Sequence, residues 1–227
     1  MRLFAVPRTA PLFEVLSGGV VIKPAHAVTL LGKAVHVSSA ARAMRTAVGR
    51  LPFQPSPSRQ LRYASACSGV DMLGVALQHV APWAWEYVFA CEASERASRV
   101  LLAAHQQYGL SPSTIYQDAC SPVATAGPYV DIWSITPPCE SFSRRNHCRS
   151  NEGDLESLSD LVVMLGYARC RRPAVIVVEN VDEQAAVAGI SAALLSVQGY
   201  AWEEFVSDAR DYGPMARTRH FWVGARS

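Results

Sequence analysis

A cysteine stands where an apolar run of strand length stops abruptly. Residues 130–139 read VDIWSITPPC, so two prolines separate the apolar run from Cys139. Prolines cannot continue a hydrogen-bonded ladder, and they would hold the thiol stiffly at the carboxyl end of a strand. A thiolate is the reactive form of cysteine, and neighbouring Arg or His side chains lower the pKa of a thiol. The following residues include Arg144, Arg145 and His147. We therefore interpret Cys139 as a nucleophile; the alternative is a small buried core cysteine.

Two further groups suited to acid–base or anion chemistry lie nearer the carboxyl terminus. The run AVIVVENV at residues 174–181 is apolar enough for a strand buried on both faces, and it ends in Glu179 and Asn180. A carboxylate at the lip of a dry strand should have a raised pKa and be able to donate a proton. Arg217 and Arg219 lie two residues apart in an extended segment. The simpler interpretation of that pair is a solvated edge strand on which positive charge prevents aggregation.

A glycine and two acids end the first three predicted strands. Ser68, Gly69 and Val70 form a turn after YASAC, Glu92 ends the run FACE 23 positions after Gly69, and Asp118 follows TIYQ. Such a glycine allows close backbone approach to a ligand, and an acid about twenty residues later can bind ribose hydroxyls. Separately, these features are typical of an ordinary turn and of helix N-caps. Together they predict an adenosine-binding crevice, without a P-loop for a triphosphate.

Strands alternating with helices of ten to twenty residues predict an α/β fold with a mostly parallel sheet. No helix separates the last two predicted strands, which should pair as an antiparallel hairpin at one edge. The stretch LPFQPSPSRQ at 51–60 contains three prolines and is interpreted as an extended linker. It divides a segment at 1–50, with an Ala-rich helix that should stop at Gly49, from a domain at 61–227.

Composition excludes several classes of protein. Half of the 227 residues are apolar, which predicts a sizeable core, and the net charge of +2 argues only weakly for a nucleic-acid partner. All but two of the 21 basic residues are Arg, whose fork suits phosphates and base edges. Neither a signal peptide nor a membrane span is evident. The six cysteines show no C-x-x-C spacing, so we expect a reduced, cytoplasmic setting, with Cys67, Cys91 and Cys170 buried in the core.

In their order and spacing, these motifs resemble those of the cytosine-C5 DNA methyltransferases. PPC followed by Phe142 and Ser143 is similar to the PCxxFS catalytic loop, ENV to the family's strand end, and Arg217-x-Arg219 to its QxRxR motif. CSGVDMLGVAL is similar to the cofactor-binding glycine turn. The segment LLGKAVHV resembles the GNxV motif that normally closes the family's sequences, so the order suggests a circular permutation. The resemblance covers residues 60–227 and implies a Rossmann-like class I methyltransferase fold.

The resemblance also implies a mechanism and a set of site residues. A flipped cytosine would be attacked at C6 by Cys139, Glu179 would protonate N3, and C5 would receive a methyl group from S-adenosyl-L-methionine. Arg219 and Arg217 would hold the base, Asn180 would order the loop, and the side chains of Ser143, Arg144 and Arg145 would meet phosphates of double-stranded DNA. The implied cofactor residues are Ser68, Gly69, Val70, Met72, Glu92, Ala93, Asp118, Pro138 and Val35.

Several positions depart from the family pattern. Asp71 and Met72 replace glycines, Met215 replaces Gln, and Lys33 replaces Asn. The long target-recognition segment that follows the Arg pair in the family is missing, because only eight residues follow Arg219. We therefore expect a second polypeptide to supply recognition. The alternatives are a non-catalytic or regulatory cofactor-binding subunit, an RNA cytosine-C5 methyltransferase and, more remotely, a thiol redox enzyme. Restriction–modification, phage protection and regulation stay open as purposes.

Overall fold

The computed structural model describes residues 36–82, 84–139, 151–214 and 216–227, without the side chains of residues 151–155. Within these ranges the chain forms seven strands. They are β1 (Leu61–Ala66), β2 (Trp85–Cys91), β3 (Ile115–Tyr116), β4 (Ile132–Ile135), β5 (Val175–Val181), β6 (Tyr200–Asp208) and β7 (Thr218–Arg226). The α-helices are α1 (Val37–Gly49), α2 (Met72–Val80), α3 (Glu95–His105), α4 (Pro122–Thr125), α5 (Asn151–Arg171) and α6 (Gln184–Leu195).

All seven strands belong to one sheet in the order β3-β2-β1-β4-β5-β7-β6. The pairs among the first five strands are parallel, whereas β7 runs antiparallel to both β5 and β6. The predicted α/β class, mostly parallel sheet and terminal antiparallel hairpin are therefore confirmed. The third strand is shorter than predicted: it stops at Tyr116, so Asp118 lies two residues beyond its end.

Helices cover both faces of the sheet, and each face has its own apolar core. On one face α1, α2 and α3 pack over the strands, and on the other face α4, α5 and α6 do so. The second core is rich in aromatic side chains, with Trp133 lying 4.7 Å from Tyr167 and 5.4 Å from Phe89 between ring centroids. Because both faces are covered, β5 is buried along its whole length, as its apolar sequence predicts.

Helix α1 joins the beginning of the described chain to the far edge of the sheet. Its Ala-rich face is buried in the same core as α2, and it ends at Gly49 as predicted. Ser207 of β6 donates a hydrogen bond to the Ser39 hydroxyl at 3.0 Å, and Arg50 forms an ion pair with Glu203 at 2.9 Å. The segment that follows contains a tight turn closed by reciprocal backbone hydrogen bonds between Ser56 and Arg59. Across the described ranges, no helix is long and apolar enough to cross a membrane.

Candidate functional site

The sheet brings the predicted nucleophile and its charged neighbours together at the carboxyl end of its parallel strands. Cys139 follows β4, while Glu179 and Asn180 lie near the carboxyl end of the adjacent strand β5. Strand β7 runs in the opposite direction, so its first residues return to the same edge, and Arg219 pairs with Val181 in the β5–β7 ladder. Residues from three neighbouring strands therefore meet where parallel α/β sheets commonly bind ligands.

Glu179 and Arg219 form a largely buried ion pair. Arg219 Nε donates to Glu179 Oε1 at 2.8 Å. The side chain of Arg219 is only 13% exposed and that of Glu179 only 12%. Burial raises the pKa of Glu179 above its ordinary value, although the positive charges of Arg219 and Arg217 oppose this shift. The sequence-based expectation of a raised pKa is therefore confirmed. A carboxyl group of this kind can change protonation state when a ligand alters its surroundings.

The thiol of Cys139 lies within electrostatic reach of that pair, but its pKa moves against expectation. Burial and the negative charge of Glu179 raise the pKa of Cys139, and the lowering by Arg219 and Arg217 does not compensate. The expectation of a lowered thiol pKa is therefore wrong for the described site, because desolvation of the thiolate outweighs the two guanidinium groups. Ser143, Arg144, Arg145 and His147 lie outside the described residues.

Hydrogen bonds hold the segment before Cys139 from both sides. Asn180 Nδ2 donates to the carbonyl of Pro137 at 3.3 Å, while Asn180 Oδ1 accepts from its neighbour's backbone N–H at 2.7 Å. On the other side, the hydroxyl of Thr136 donates to the carbonyl of Cys67 at 2.7 Å. Asn180 is thereby placed to order the loop, and Thr136 connects the start of that loop to the turn after β1.

Glu92 is one of the groups that hold that turn after β1. The backbone N–H of Gly69 donates to Glu92 Oε2 at 2.6 Å, and that of Ser94 donates to Oε1 at 2.8 Å. Gly69 has φ of +54°, and a Cβ placed there would point into open space. Ser68 is buried, and its hydroxyl donates to the carbonyl of Cys91 at 3.2 Å. Open space thus lies beside Gly69, in a turn whose backbone is bound by a carboxylate.

The other predicted cofactor residues occupy varied positions. Asp118 is exposed, and its Oδ1 accepts from the N–H of Cys120 at 2.8 Å, as in an Asx turn. Val70 and Met72 are buried, so their side chains belong to the core. Ala93 and Pro138 are exposed, Ala93 following Glu92 and Pro138 preceding Cys139. Val35, Lys33 and Met215 fall outside the described residues.

A buried carboxylate beneath the turn was not singled out from the sequence. Asp71 accepts hydrogen bonds from Tyr63 at 2.9 Å and from Tyr87 at 2.7 Å, and it caps α2 by accepting from the N–H of Gly74 at 3.0 Å. All four residues are buried. The available signal was the spacing of Tyr63 and Ser65, which puts two hydroxyls on one face of an otherwise apolar strand.

The three cysteines that were expected to lie in the core differ in exposure. Cys91 is buried as expected, whereas Cys67 is half-buried and Cys170 is exposed. The expectation for Cys170 is wrong because that residue lies on the solvent side near the end of α5. The pKa of both Cys67 and Cys91 is raised to about 12, chiefly by burial, and nearby carboxylates add to the shift.

Comparisons with known proteins bear on the fold. No family model matches the chain, and no curated protein matches it. A prophage-encoded DNA modification methyltransferase from E. coli is similar, with TM-score 0.55 and 18% identity over 74% of this chain and 47% of that one. Dnmt2 methyltransferase from S. pombe gives TM-score 0.54 and 19% identity over 74% and 50%. An RNA methyltransferase from Pyrococcus horikoshii gives TM-score 0.53 and 14% identity over 85% of both chains.

These likenesses identify the fold. The chain has the Rossmann-like class I methyltransferase fold, with an antiparallel seventh strand inserted next to the edge of a parallel sheet. It spans about half the length of the first two structures, covering 47% and 50% of them. At identities below 20%, these comparisons establish the fold alone, and the activity must be argued from the site.

Proposed function

We propose that this chain transfers a methyl group from S-adenosyl-L-methionine to C5 of cytosine in DNA, through a covalent bond between Cys139 and C6. The observation that carries the proposal is the convergence of Cys139, the Glu179–Arg219 ion pair and the open turn at Gly69 on one edge of a class I methyltransferase sheet. The resemblance of PPC, ENV and RxR to the cytosine-C5 enzymes supplies the order in which these groups would act.

The chemistry of the turn suits the proposed cofactor. A backbone turn with open space above Gly69 admits close approach, and the carboxylate of Glu92 can accept from ribose hydroxyls while keeping its backbone contacts. The exposed Asp118 offers a second carboxylate for the adenine amino group, and the exposed Pro138, next to Cys139, would be a further cofactor contact. When bound, S-adenosyl-L-methionine supplies the methyl group that cytosine C5 receives.

The residues of the chain perform the remaining steps. Cys139, as a thiolate, adds to C6 of the cytosine ring, and Glu179 in its protonated form donates a proton to N3, so that C5 becomes nucleophilic. After C5 is methylated, with S-adenosyl-L-homocysteine as the leaving group, water removes the C5 proton. The C6–S bond then breaks to return the thiolate, and N3 gives its proton back to Glu179. Arg219 orients Glu179 through the 2.8 Å ion pair, and Asn180 fixes the segment that carries the thiol.

The raised pKa of Glu179 suits its proposed role as a proton donor. A carboxyl group with a raised pKa is more readily protonated near neutral pH, as donation to N3 requires. Transfer of a proton from Cys139 to Glu179 would convert the two groups into their reactive forms together. Positive charge from the residues after Cys139 would then favour the thiolate.

Recognition of a DNA sequence is assigned by this proposal to a second polypeptide. Ser143, Arg144 and Arg145 would contact phosphates, which add affinity without sequence information. The chain covers 47% and 50% of two methyltransferase structures that it resembles in fold. The segment at 1–50 is assigned as the permuted last motif, and residues 61–227 as the catalytic domain.

The test is methyl transfer from labelled S-adenosyl-L-methionine to duplex DNA of mixed sequence and to tRNA in competition. We expect label on DNA cytosine, low with the pure chain and raised by host extract. Preferential labelling of tRNA would favour the RNA enzyme instead. Cofactor binding with no transfer, with or without extract, would favour a regulatory subunit, and full sequence-selective transfer by the pure chain would remove the second polypeptide from the proposal.

A further inference from the structure

The turn proposed to bind the cofactor has an unusual backbone for its sequence. Cys67, Gly69 and Asp71 all have positive φ, at 53°, 54° and 45°. Only glycine adopts this region without cost, and side-chain-bearing residues there are strained. Two of the three residues are not glycine, so surrounding contacts must hold the turn in this shape.

Those contacts come from a group of buried hydroxyls under the turn. Tyr63 and Tyr87 pair with each other across β1 and β2, and both hydroxyls donate to the carboxylate of Asp71. The rings of the two tyrosines are edge to face, with centroids 5.1 Å apart, so the hydroxyls are fixed in position. The carboxylate is therefore clamped at the point where the turn becomes helix α2.

The same group extends to the neighbouring strands. The hydroxyls of Tyr63 and Ser134 are hydrogen-bonded at 2.6 Å, and Ser65 is hydrogen-bonded to both Tyr87 and Ser68. Ser68 directly precedes Gly69, and its carbonyl accepts from the N–H of Asp71 at 2.7 Å. A continuous path of hydrogen bonds thus runs from the buried strands to the turn itself.

The space around the carboxylate is also closely fitted. A Cβ placed at Gly74 would lie 2.6 Å from Asp71 Oδ2 and 3.0 Å from the ring of the buried His105. Gly74 therefore makes room for the carboxylate, even though the helix would otherwise favour alanine at this position. The site accommodates a carboxylate at a position whose positive φ favours glycine.

We propose that Asp71, clamped by Tyr63 and Tyr87, is a positioning residue that sets the Ser68–Gly69 turn for binding S-adenosyl-L-methionine. In this chain the side chains beneath the turn supply the backbone shape that glycines at this position would adopt unaided. The inference rests on the proposed function for the identity of the ligand. The positioning of the turn by the two tyrosines can be measured without any ligand.

The first measurement is hydrogen exchange of the backbone amides of Gly69 and Asp71 in the free chain. Tyr63→Phe and Tyr87→Phe should each speed this exchange about five- to tenfold, the effect of losing one buried hydrogen bond. The matched control is Tyr167→Phe, since that buried tyrosine donates to the Pro128 carbonyl at 2.5 Å on the other face of the sheet. The control should leave both amides unchanged.

The second measurement is cofactor binding by the same variants. The Kd of S-adenosyl-L-methionine should rise about five- to tenfold in Tyr63→Phe and Tyr87→Phe, with kcat at saturating cofactor unchanged and with under a twofold change in Tyr167→Phe. Asp71→Asn, which keeps an acceptor oxygen, should fall between wild type and the tyrosine variants. Should Asp71→Asn fail to fold, the two phenylalanine variants still decide the question.

The outcomes separate the two proposals. Faster amide exchange with weaker cofactor binding supports the inference. Equal losses of thermal stability in all three phenylalanine variants, with unchanged exchange at Gly69 and unchanged Kd, would overturn it and reduce the tyrosines to core residues. A third outcome is that the wild-type chain binds no S-adenosyl-L-methionine while the two tyrosine variants still exchange faster at the turn. That outcome would overturn the proposed function and the ligand assignment, but the tyrosines would still be shown to position the turn.

Discussion

The candidate site lies at the carboxyl end of the parallel strands, and its two halves are built in different ways. In the first, which we call the thiol half, the side chains of Cys139, Glu179 and Arg219 form the site, and Asn180 fixes the backbone behind them. In the second, which we call the turn half, the backbone after β1 forms the site, and side chains beneath it fix its shape. The hydroxyl of Thr136 in the thiol half donates a hydrogen bond to the carbonyl of Cys67 in the turn half and so joins the two.

The difference teaches where substitutions should be tolerated. The proposed reaction uses a thiol, a carboxyl group and a guanidinium, and it has no substitute for those groups in the thiol half. A backbone turn can be held by more than one set of neighbours. In the turn half, Asp71 has a positive φ that favours glycine, and two tyrosines donate hydrogen bonds to its carboxylate.

The largest effect should follow loss of the thiol. In Cys139→Ala, methyl transfer should fall by about a thousandfold or more, because the covalent step has no alternative nucleophile. Binding of S-adenosyl-L-methionine should be unchanged, since the turn half is intact. Cys170→Ser, at an exposed position near the end of α5, is the control and should retain full activity. Weakened cofactor binding in Cys139→Ala would show that the halves are not separable.

Loss of the acid should have the next largest effect. Glu179→Gln should lower kcat about a hundredfold, because the amide cannot donate a carboxyl proton to N3. The KM for cofactor should change little. Glu203→Gln is a matched control, since Glu203 also pairs with an arginine but is about half exposed on β6. A kcat as low in the control as in Glu179→Gln would point to misfolding of the β5–β7 region.

A smaller effect is expected in the turn half. Glu92→Gln should weaken binding of S-adenosyl-L-methionine about tenfold, because one of the two carboxylate oxygens that accept from backbone N–H groups is lost. Once the cofactor is saturating, kcat should return to near the wild-type value. Glu95→Gln, three residues later at the exposed start of α3, should bind normally. A persistent loss of kcat in Glu92→Gln would contradict the division into halves.

The pH dependence of thiol alkylation tests the electrostatics of the thiol half. Because the pKa of Cys139 is above the ordinary 9.0, its alkylation at pH 8 should be slower than that of an ordinary thiol and should keep rising beyond pH 9. Glu179→Gln removes a negative charge that raises this pKa. The pKa should therefore fall, and alkylation at pH 8 should become faster because more of the thiol is ionised.

Mass spectrometry measures the incorporation of iodoacetamide at Cys139, and Cys139→Ala is the negative control. Unchanged or slower alkylation in Glu179→Gln would contradict the electrostatic effect of Glu179 on the thiol.

The smallest effect is expected at Asp118. Its Oδ1 accepts from the N–H of Cys120 in an Asx turn, which asparagine also forms, so Asp118→Asn should keep the local fold. We expect cofactor affinity to fall by about threefold or less, from loss of one exposed carboxylate contact. Equilibrium dialysis measures this directly. A loss as large as that in Glu92→Gln would make Asp118 the principal acid of the turn half.

The two halves also differ in how far the sequence predicted them. The apolar runs predicted the sheet, and the motifs PPC, ENV and RxR indicated all three groups of the thiol half, since such chemistry requires those residue types. The thiol pKa was predicted wrongly, because the cost of desolvation depends on packing that no local pattern reveals.

The turn half was less predictable. Gly69 and Glu92 were found from their spacing, but the carboxylate of Asp71 was interpreted only as a departure from a glycine pattern. Its tyrosine partners lie eight residues before it and sixteen residues after it, and only the parallel pairing of β1 with β2 brings them together. Long-range pairing of this kind leaves no local signature in the sequence.

The most direct test of the central claim is a covalent trap. Duplex DNA in which 5-fluorocytosine replaces cytosine is incubated with the chain, S-adenosyl-L-methionine and host extract, since fluorine at C5 prevents the final elimination. We predict a protein–DNA adduct that survives denaturation, maps to Cys139 and is absent from Cys139→Ala. Efficient methylation of ordinary duplex DNA under the same conditions without any adduct at Cys139 would contradict the covalent mechanism.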